Sequence, residues 1–441
     1  MAKTQKTARR SATGAPGKVS GRSKEKVCKV AIVGFGTVGS SVARILTERS
    51  LNGLTLAWVY NRNIRRKETG WLPASVQRTE DIEEVLSSDA DLIVEVIGGL
   101  KPAGEWIRRA LSCGKSVVTA NKQLISRRGP ELMDLAQRNR CHIAFGASVA
   151  GGVPVISGLQ EGLAGDELFR IHGILNGTCN YILTRIETAG VSFAAALAEA
   201  QKLGYAEADP SEDVDGLDAR AKLAILARVG LYSSVSPEQI LCRSIAPVEA
   251  LDFTYAGHVA CTIRQISYAE IEGDQLLAAV QPALVPLLSP LARVEGSRNL
   301  VTATGKYGGE TVFGGHGAGG HPTAVAIVSD IIAIARQREG MNGFAHKEVS
   351  THSVSPNFST RHYLRFKVED RPGIIAAIAS ILSHCEINID SVLQKPGFLK
   401  NSLPFVITLE ACRGALVEKA LEKIAKLDFL VEPCLHLPIL D

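Results

Sequence analysis

The sequence has no apolar run of about 18 residues, the length that a membrane-spanning helix requires. Its first residues also lack the apolar segment of about 7–15 residues that a secretory signal peptide needs. The nine cysteines are scattered and form no CxxC pair, a usage typical of reduced thiols. These absences argue against a membrane protein and against a disulfide-stapled secreted protein, and they predict a cytoplasmic protein.

Acidic residues are almost absent from the start of the chain. Residues 1–26 contain eight Lys or Arg and a single acid, Glu25, although the net charge of the whole chain is only +4. We expect residues 1–27 to form a disordered basic tail, and a transit peptide of similar composition is the alternative. Without the tail the chain is nearly neutral, so the sequence offers no basic face for binding nucleic acid.

After the tail, strand-like and helix-like segments alternate. Short β-rich runs at 54–60, 90–97, 116–119 and 142–144 are separated by helical patterns, which predicts an α/β fold that begins with a Rossmann-type parallel sheet. An α+β substrate and dimerisation domain and a ferredoxin-like C-terminal module are predicted to follow it. The predicted parts are a dinucleotide-binding domain over 28–150, a catalytic and dimerisation domain over 151–336, an unpatterned linker over 337–360 and a regulatory domain over 361–441.

A glycine-rich turn follows the first predicted strand in "VCKVAIVGFGTVGS". Its glycines form the pattern GxGxxG at the start of a helix, where backbone without side chains lets a pyrophosphate approach the helix N-terminus. A tight strand-to-helix turn without a ligand is the alternative. The residues predicted to contact the cofactor here are Gly34, Phe35, Gly36, Thr37, Val38 and Gly39.

The second predicted strand ends in "WVYNRNIRRK" without an acidic residue. An acid at this point binds the ribose 2′-hydroxyl in NAD enzymes, whereas Arg62 and the basic residues after it favour a 2′-phosphate and therefore NADP. A solvated basic loop is the alternative. Gly98 and Gly99, which follow the strand in "DLIVEVIGG", are predicted to let the nicotinamide half of the cofactor pass close to the backbone.

Two lysines are candidates for chemistry. Lys122 lies just past the predicted strand in "VVTANK", at the sheet edge where open α/β sheets bind ligands. Lys222 follows Asp218 by four residues, so the two share a face of one helix. A surface ion pair contributing a few tenths of a kcal/mol is the alternative. However, the helix is otherwise apolar, and charged residues on a buried helix need partners or a ligand.

The segment before Lys222, "GYAEADPSEDVDGLDARAKLAIL", places six carboxylates within twelve positions. Like charges at this density repel one another, so either water screens them or a cation lies among them. Carboxylates that converge in a crevice bind a small ammonium group well. A lysine beside them is able to pass a proton to a developing alkoxide.

Six motifs make residues 28–441 resemble the homoserine dehydrogenases: GFGTVG, TANK, "GASVAGGVPVI", "GILNGTCNYIL", the acidic segment above and "GHGAGGHPTA". The resemblance implies reversible reduction of L-aspartate 4-semialdehyde to L-homoserine with a nicotinamide cofactor. It implies that Lys222 donates a proton to the carbonyl, that Lys122 assists between cofactor and substrate, and that Asp213 orients them.

The same resemblance implies further contacts. Glu207 and Asp218 would hold the ammonium group of the substrate, and Gly204 and Gly317 would contact the cofactor. The family is also expected to act as a homodimer or homotetramer in threonine and methionine biosynthesis.

One position departs from the family pattern. Family members commonly have a glutamate just before "ASVAGG", where it joins backbone carbonyls in binding Na⁺ or K⁺, but this chain has Gly146. Val149, Gly151 and Val153 match the positions that lend carbonyls. The missing carboxylate argues against the cation, because each lost anionic ligand weakens the binding of a hard cation. A water or another acid in place of the glutamate is the alternative.

The C-terminal segment "HYLRFKVEDRPGIIAAIASILSHCEINIDSVLQ" resembles an ACT domain, an amino-acid-sensing module. The resemblance implies an amino-acid effector, with threonine expected, whose carboxylate meets the N-terminus of a helix. A dimerisation module with an empty site is the alternative. The residues assigned to this regulatory site are Asp370, Arg371, Pro372, Gly373, Asn388 and Asp390.

Two other classes of function stay open. An aspartate-semialdehyde dehydrogenase would share the substrate, but it needs a thiolate nucleophile, and no cysteine here lies in an activated setting. A regulator that binds nucleotide and amino acid without catalysis is the second class. The presence of both Lys122 and Lys222 argues against it.

Overall fold

The protein is described by a computed structural model that covers residues 27–49, 51–337 and 349–440. The basic tail predicted over 1–27 therefore lies, except for Val27, outside the described residues. Among the described helices, none has both the length and the apolar character needed to cross a bilayer.

The N-terminal part alternates strands and helices, as the periodicity predicts. Its elements are β1 Cys28–Val33, α1 Thr37–Glu48, β2 Leu54–Tyr60, β3 Gln77–Thr79, α2 Ile82–Ser87, β4 Leu92–Glu95, α3 Ala103–Ser112, β5 Ser116–Thr119, α4 Lys122–Arg138 and β6 Ile143–Ala144. The strands form one sheet in the order β3-β2-β1-β4-β5-β6, and every neighbouring pair is parallel. All residues of β4 and β5 are buried, as expected for parallel strands covered on both faces. The predicted Rossmann-type parallel sheet is confirmed.

The middle part carries longer strands and more helices. Its elements are α5 Val155–Ser157, β7 Leu168–Ile174, α6 Gly177–Ala189, α7 Phe193–Lys202, α8 Ser211–Val214, α9 Leu217–Gly230, β8 Leu241–Cys242, α10 Ala250–His258, β9 Cys261–Glu272, β10 Gln275–Pro286, β11 Arg298–Gly305, β12 Gly309–His316 and α11 Gly320–Gln337. Helix α9 packs against one face of the sheet formed by β7, β9 and β10, so its apolar residues enter the largest core cluster.

Helix α11 returns to the first sheet. Its Ala324, Ile327 and Val328 are buried against Val42 and Ala43 of α1. A side chain at Gly320 would approach within 2.8 Å of Ser41, so glycine is what allows α11 to begin beside α1. The middle part of the sequence thereby helps to cover the dinucleotide-binding sheet.

The C-terminal part has the strand–helix–strand–strand–helix–strand order that the sequence predicts. After the short strand β13 Ser353–Ser355, its elements are β14 Ser359–Val368, α12 Ile374–His384, β15 Ile389–Leu393, β16 Leu403–Arg413, α13 Gly414–Ile424 and β17 Leu435–Ile439. Its last four strands lie in the order β17-β14-β16-β15, with antiparallel pairing throughout. The predicted ferredoxin-like module is confirmed.

One edge of β10 joins the two parts. Along this edge β13, β8 and β17 pair with β10 in turn, all of them in parallel. The result is a continuous mixed sheet with the path β12-β11-β7-β9-β10-β17-β14-β16-β15. The linker predicted over 337–360 falls partly outside the described residues, and its described end includes β13, which is too short to show a period in the sequence.

A buried ion pair also joins the two parts. Asp252 on α10 is fully buried and accepts hydrogen bonds from Arg365 Nη1 at 2.6 Å and from Tyr363 Oη at 2.7 Å, both on β14. Burial raises the pKa of Asp252 to about 6, although the charge of Arg365 opposes the shift. Arg365 also lies 3.3 Å from carboxylate oxygens of the more exposed Glu249 and Glu432, so Asp252 is the most buried acid of a charge network that fixes how β14 meets α10.

Candidate active site

The glycine turn between β1 and α1 has the geometry of a phosphate-binding loop. Gly34 has a φ of +110°, and a Cβ there would lie 2.9 Å from the carbonyl oxygen of Val96. A Cβ on Gly39 would lie 1.9 Å from the carbonyl oxygen of Gly34. Gly36 precedes α1 with no side-chain cap, so N–H groups at the helix start stay available to an anion.

Arg62 lies two residues beyond the end of β2 and is exposed. Because β2 neighbours β1, this places Arg62 at the same sheet edge as the glycine turn. Arg65 is already paired with Glu80, with 3.6 Å between Nε and Oε2. Arg62 makes no hydrogen bond or ion pair within the described residues, which leaves its guanidinium available for a ligand phosphate.

The loop after β4 is shaped by a carboxylate that the sequence reasoning missed. Glu95 is 1% exposed and accepts hydrogen bonds from the N–H groups of Ile97 and Gly98 and from Thr119 Oγ1. Gly98 and Gly99 both have positive φ, at +79° and +74°. The signal for Glu95 was a lone acid inside an apolar strand, which needs internal partners.

Lys122, Asp218 and Lys222 converge although the first is far from the others in sequence. Lys122 Nζ lies 2.5 Å from Asp218 Oδ1, and Lys222 Nζ lies 2.8 Å from Asp218 Oδ2. Lys222 also donates to the carbonyl oxygen of Leu175 at 2.7 Å. The side chains are 38%, 6% and 13% exposed for Lys122, Asp218 and Lys222, so the carboxylate is covered while both ammonium groups stay reachable.

The charges of this cluster stabilise one another. Burial raises the pKa of Asp218, but the two ammonium groups lower it further, so the net shift is downward and the carboxylate stays ionised. Burial lowers the pKa of Lys122, whereas Asp218 raises it, and the net shift is upward. Asp218 therefore acts as a fixed anion between two cationic side chains.

Asn176, also missed from the residues alone, ties the neighbouring carboxylates together. It precedes α6, its Oδ1 caps that helix by accepting from Cys179 N, and its Nδ2 lies 2.6 Å from Asp213 Oδ1 and 2.9 Å from Asp218 Oδ2. Burial raises the pKa of Asp213, and the amide of Asn176 opposes that shift. The amide thus sets the spacing of two acids that would otherwise repel.

Gly317 packs against Asn299, which shares a hydrogen-bond acceptor with Lys222. A Cβ on Gly317 would lie 2.1 Å from the amide carbon of Asn299, and Asn299 Nδ2 donates to the Leu175 carbonyl that also receives Lys222. Gly317 is therefore within the site and has no space for a side chain.

Glu207 and Gly204 lie on the exposed loop after α7. The Glu207 carboxylate has no hydrogen bond or ion pair within the described residues, and Gly204 has a φ of +77°. The loop is held near the start of α6 because Thr178 Oγ1 donates to the carbonyl of Tyr205 at 2.7 Å. The structure does not bring Glu207 into contact with the lysine cluster.

An acid from another element lies beside Gly146, where family members commonly carry a glutamate. The N–H of Gly146 donates to Asp330 Oδ2 at 2.8 Å, so an acid from α11 takes the space that a side chain at position 146 would need. The carbonyl of Val153 accepts from Val155 N, and no metal-binding cluster of His, Cys, Asp or Glu occurs within the described ranges. Val149 and Gly151 would offer only their backbone carbonyls to a cation, so a cation here remains a prediction.

The candidate regulatory residues lie around the start of α12 and on β15. Gly373 has a φ of +93° and precedes α12 without a side-chain cap. Asn388 donates to Glu410 Oε2 at 3.0 Å, Asp390 accepts from Thr408 Oγ1 at 2.8 Å, and Arg371 pairs with Asp428. Asp370 and Pro372 complete the exposed turn between β14 and α12.

None of the nine cysteines forms a disulfide, and none is suited to attack a carbonyl in this site. Cys179 lies nearest, with its thiol 3.1 Å from the carbonyl of Asp213. Burial raises the pKa of Cys179 well above its ordinary value, so the thiolate is suppressed. A thiolate-dependent semialdehyde dehydrogenase does not fit this site.

Three sequence-family models match the chain. "Homoserine dehydrogenase, NAD binding domain" matches residues 34–146, "Homoserine dehydrogenase" matches 154–332 and "ACT domain" matches 362–429. Homoserine dehydrogenase of Mycobacterium tuberculosis is 41% identical over 385 residues, which cover 84% of this chain and 87% of that protein. The Bacillus subtilis enzyme is 36% identical over 382 residues, covering 84% of this chain and 88% of that protein.

Solved structures of homoserine dehydrogenases have a similar fold. A homoserine dehydrogenase from Thiobacillus denitrificans superposes with a TM-score of 0.88 at 31% identity, covering 94% of this chain and 99% of that one. A hyperthermophilic archaeal homoserine dehydrogenase mutant in complex with NADPH superposes with a TM-score of 0.61 at 29% identity, covering 70% and 98%.

The fold and the site define an oxidoreductase with a regulatory module. The parallel sheet carries a phosphate-binding turn, lysines and carboxylates meet at its carboxyl edge, and an ACT domain follows. The chain belongs to the homoserine dehydrogenase family.

Proposed function

We propose that the protein reduces L-aspartate 4-semialdehyde to L-homoserine reversibly and prefers NADPH. The observation that carries the proposal is the convergence of Lys122 and Lys222 on the buried Asp218. NADPH, when bound, supplies the hydride. The chain must then hold the amino acid and deliver a proton to the oxygen of the former carbonyl.

Lys222 is the proton donor. Its Nζ is held from two sides, by Asp218 and by the carbonyl of Leu175, so one N–H remains for the substrate oxygen. Lys122 lies at the end of the parallel strand β5, between the cofactor edge and the substrate, where its charge stabilises the developing alkoxide. Asp213 orients the pair through Asn176.

Asp218 and Glu207 are the proposed ligands of the substrate ammonium group. Both oxygens of Asp218 are already engaged by lysines, so an ammonium reaches it by displacing Lys122, which then turns towards the carbonyl. Glu207 has to approach from its exposed loop. This role for Glu207 requires the loop to close over the substrate.

The preference for NADPH rests on Arg62, together with the absence of an acid at the end of β2. A guanidinium on a 2′-phosphate forms charge-assisted hydrogen bonds worth on the order of 1.5–3 kcal/mol. We expect Arg62→Ala to raise KM for NADPH about 10- to 100-fold and to leave KM for NADH nearly unchanged.

The test is oxidation of NADPH and of NADH with L-aspartate 4-semialdehyde as substrate. Arg65→Ala is the matched control, since Arg65 is already paired with Glu80. Equal losses with both cofactors in Arg62→Ala would show that Arg62 does not bind the phosphate. Absence of turnover with either cofactor in the wild type would overturn the proposed reaction, and a regulator without catalysis would become the better hypothesis.

We also propose that threonine inhibits the enzyme through the ACT domain, in the synthesis of threonine and methionine. In the family-based assignment its carboxylate meets the start of α12 after Gly373, and Asn388 or Asp390 contacts the rest of the ligand. The exposed turn and the absence of a side-chain cap on α12 support this placement.

The assembly is proposed to be a homodimer or homotetramer, and light scattering would measure it. We place the enzyme in the cytoplasm because its cysteines form no disulfides.

A further inference from the structure

Asn299 is a buried amide that shares a hydrogen-bond acceptor with the proposed proton donor. It is the second residue of β11 and is 2% exposed. Its Nδ2 donates to the carbonyl oxygen of Leu175 at 3.0 Å, and Lys222 Nζ donates to the same oxygen at 2.7 Å. A carbonyl oxygen has two lone pairs, so the amide and the ammonium group together use the full capacity of this one.

The position of Asn299 follows from the pairing of β11 with β7. Ile174, the last residue of β7, pairs with Leu300, so Asn299 lies opposite Leu175 where the chain leaves the strand for α6. Side chains alternate between the two faces of a strand, so Val301 shares the face of Asn299. Val301 is fully buried in the core cluster that α9 enters. Asn299 is therefore the polar end of an apolar row that faces the helix carrying Lys222.

The second polar atom of the amide has no partner. Asn299 Oδ1 is buried and makes no hydrogen bond among the described residues. Exchanging Oδ1 and Nδ2 would set two acceptors against each other at Leu175, so the network assigns the donor to that carbonyl. A buried acceptor without a partner costs free energy, and such a group in a native protein calls for a reason. What the arrangement gains is a donor fixed on the Leu175 carbonyl.

Gly317 holds the amide of Asn299 in this orientation. A Cβ on Gly317 would lie 2.1 Å from the amide carbon, 2.3 Å from Oδ1 and 2.4 Å from Nδ2 of Asn299. The backbone at Gly317 thus lies directly on the amide, which cannot turn unless Gly317 moves. In the family-based assignment the cofactor contacts Gly317, which places Asn299 between the cofactor and the carbonyl that anchors Lys222.

The anchored peptide group also bears on the two acids of the site. Asn176 follows Leu175 directly, and its Nδ2 lies 2.6 Å from Asp213 Oδ1 and 2.9 Å from Asp218 Oδ2. Within the described residues Lys222 Nζ donates to two groups, the Asp218 carboxylate and the Leu175 carbonyl. A tilt of the peptide group between Leu175 and Asn176 would therefore move one anchor of Lys222 and shift the partner of the other.

We propose that Asn299 is a positioning residue for the proton donor. By holding the Leu175 carbonyl it keeps Lys222 Nζ in place, so that the remaining N–H of Lys222 meets the substrate oxygen as the alkoxide develops. Asn299 exchanges no proton in this role and acts only through Lys222. Misplacement of a reacting group by about 1 Å costs on the order of 10²-fold in rate. The inference rests on the proposed role of Lys222 as the donor.

A double-mutant cycle in the full-length protein tests this role, with NADPH and L-aspartate 4-semialdehyde as substrates. Asn299→Leu removes the amide donor and keeps most of the volume, and Asn299→Ala, measured in parallel, removes it without the risk of overpacking. We expect each to lower kcat about 5- to 50-fold with KM for NADPH within about threefold. In a Lys222→Met background the same changes should lower kcat less than about twofold, because nothing is left to position.

Asn180→Leu is the matched control. Asn180 on α6 is fully buried, its Nδ2 donates to the carbonyls of Val294 at 3.0 Å and Gly296 at 2.8 Å, and its Oδ1 also lacks a partner among the described residues. Neither carbonyl anchors a group of the proposed site. We expect Asn180→Leu to lower the free energy of unfolding but to keep kcat within about threefold of the wild type.

The solvent isotope effect on kcat separates positioning from loss of stability. It should rise in Asn299→Leu, because a poorly aimed proton transfer limits the rate more, and stay unchanged in Asn180→Leu. Equal losses of kcat with and without Lys222 would overturn the role, as would a kcat within twofold of the wild type in both Asn299 variants. A wild-type kcat in Lys222→Met alone would instead overturn the donor assignment on which the role depends.

Discussion

Single residues in the active site differ in how completely their hydrogen bonds are used. Asp218 has both oxygens committed to lysines and Asn176, whereas Lys222 keeps a donor for the substrate. In the proposed mechanism this division separates a residue that orients, Asp218, from a residue that reacts, Lys222. It predicts that changes at Lys222 affect turnover more than cofactor binding.

Lys222→Met removes the proposed donor while keeping most of the side-chain volume. General acid catalysis typically contributes about 10²–10⁴-fold, so we expect kcat to fall by that factor with KM for NADPH within about threefold. Steady-state kinetics with L-aspartate 4-semialdehyde measure both. Lys202→Met, an exposed lysine on α7, is the control. A kcat within threefold of the wild type would show that Lys222 is not the donor.

At the scale of elements, helix α11 supplies an acid to a position where the sequence lacks one. Asp330 is 184 residues from Gly146, and its carboxylate accepts the N–H of Gly146 at 2.8 Å. Burial raises the pKa of Asp330 to about 7; the Gly146 hydrogen bond opposes the shift, and the charge of Glu161 adds to it. In the unfolded chain the pKa of an aspartate is about 3.9.

The raised pKa of Asp330 predicts the direction in which the stability of the protein changes with pH. Between about pH 4 and 7 the folded state binds more protons at Asp330 than the unfolded state, so this group's contribution to stability is lost as pH rises through that window. When the pH is raised from 5 to 8, the wild type should lose stability that Asp330→Asn keeps. We expect the free energy of unfolding of the variant to gain about 1–2 kcal/mol on that of the wild type, after discounting for the partial exposure of the side chain.

Urea unfolding at the two pH values measures this difference. Asp274→Asn, in the exposed turn between β9 and β10, is the control, because its carboxylate has no comparable burial. A pH dependence that is the same in the wild type and in Asp330→Asn would contradict the assignment.

At the scale of the whole molecule, the ACT domain is built into the catalytic sheet. Strand β17 pairs with β10, and Tyr363, Val406 and Leu437 share a core cluster with Ile182 and Phe253 of the catalytic part. The buried pair of Asp252 and Arg365 crosses the same junction. Removing the ACT domain would expose this core, so we expect the two parts to unfold together.

Asp252→Ala tests that expectation. Because it removes the closest and most buried acidic partner of Arg365 and leaves only the more exposed Glu249 and Glu432, we expect a loss of about 1.5–3 kcal/mol in the free energy of unfolding. Lys367→Ala, which removes a partly exposed ion pair on the same strand, should cost only about 0–1 kcal/mol. Urea unfolding followed by circular dichroism should show one transition in both variants. Two separate transitions, or equal losses, would contradict a shared core.

Local features of the chain predict much of the fold, the glycine turn of the cofactor site and the pairing of Asp218 with Lys222. The glycine turn, the parallel strands and the βαββαβ order of the C-terminal part follow from apolar periodicity and turn residues, which act over a few positions. Asp218 and Lys222 pair because a helix brings residues four apart together. Sequence reasoning missed Glu95 and Asn176, since each is defined by groups from other elements.

What the sequence determined by itself is therefore the set of elements and the identity of the family, because both depend on neighbouring residues and on motifs read in order. Only the tertiary structure decided the long-range contacts. Lys122 reaches Asp218, Asp330 takes the space beside Gly146, and Arg243 meets Glu418 across 175 residues. The physical reason is that these contacts depend on how β10 and α11 bring separate segments together, and charge pairing over such distances leaves no periodic trace in the chain.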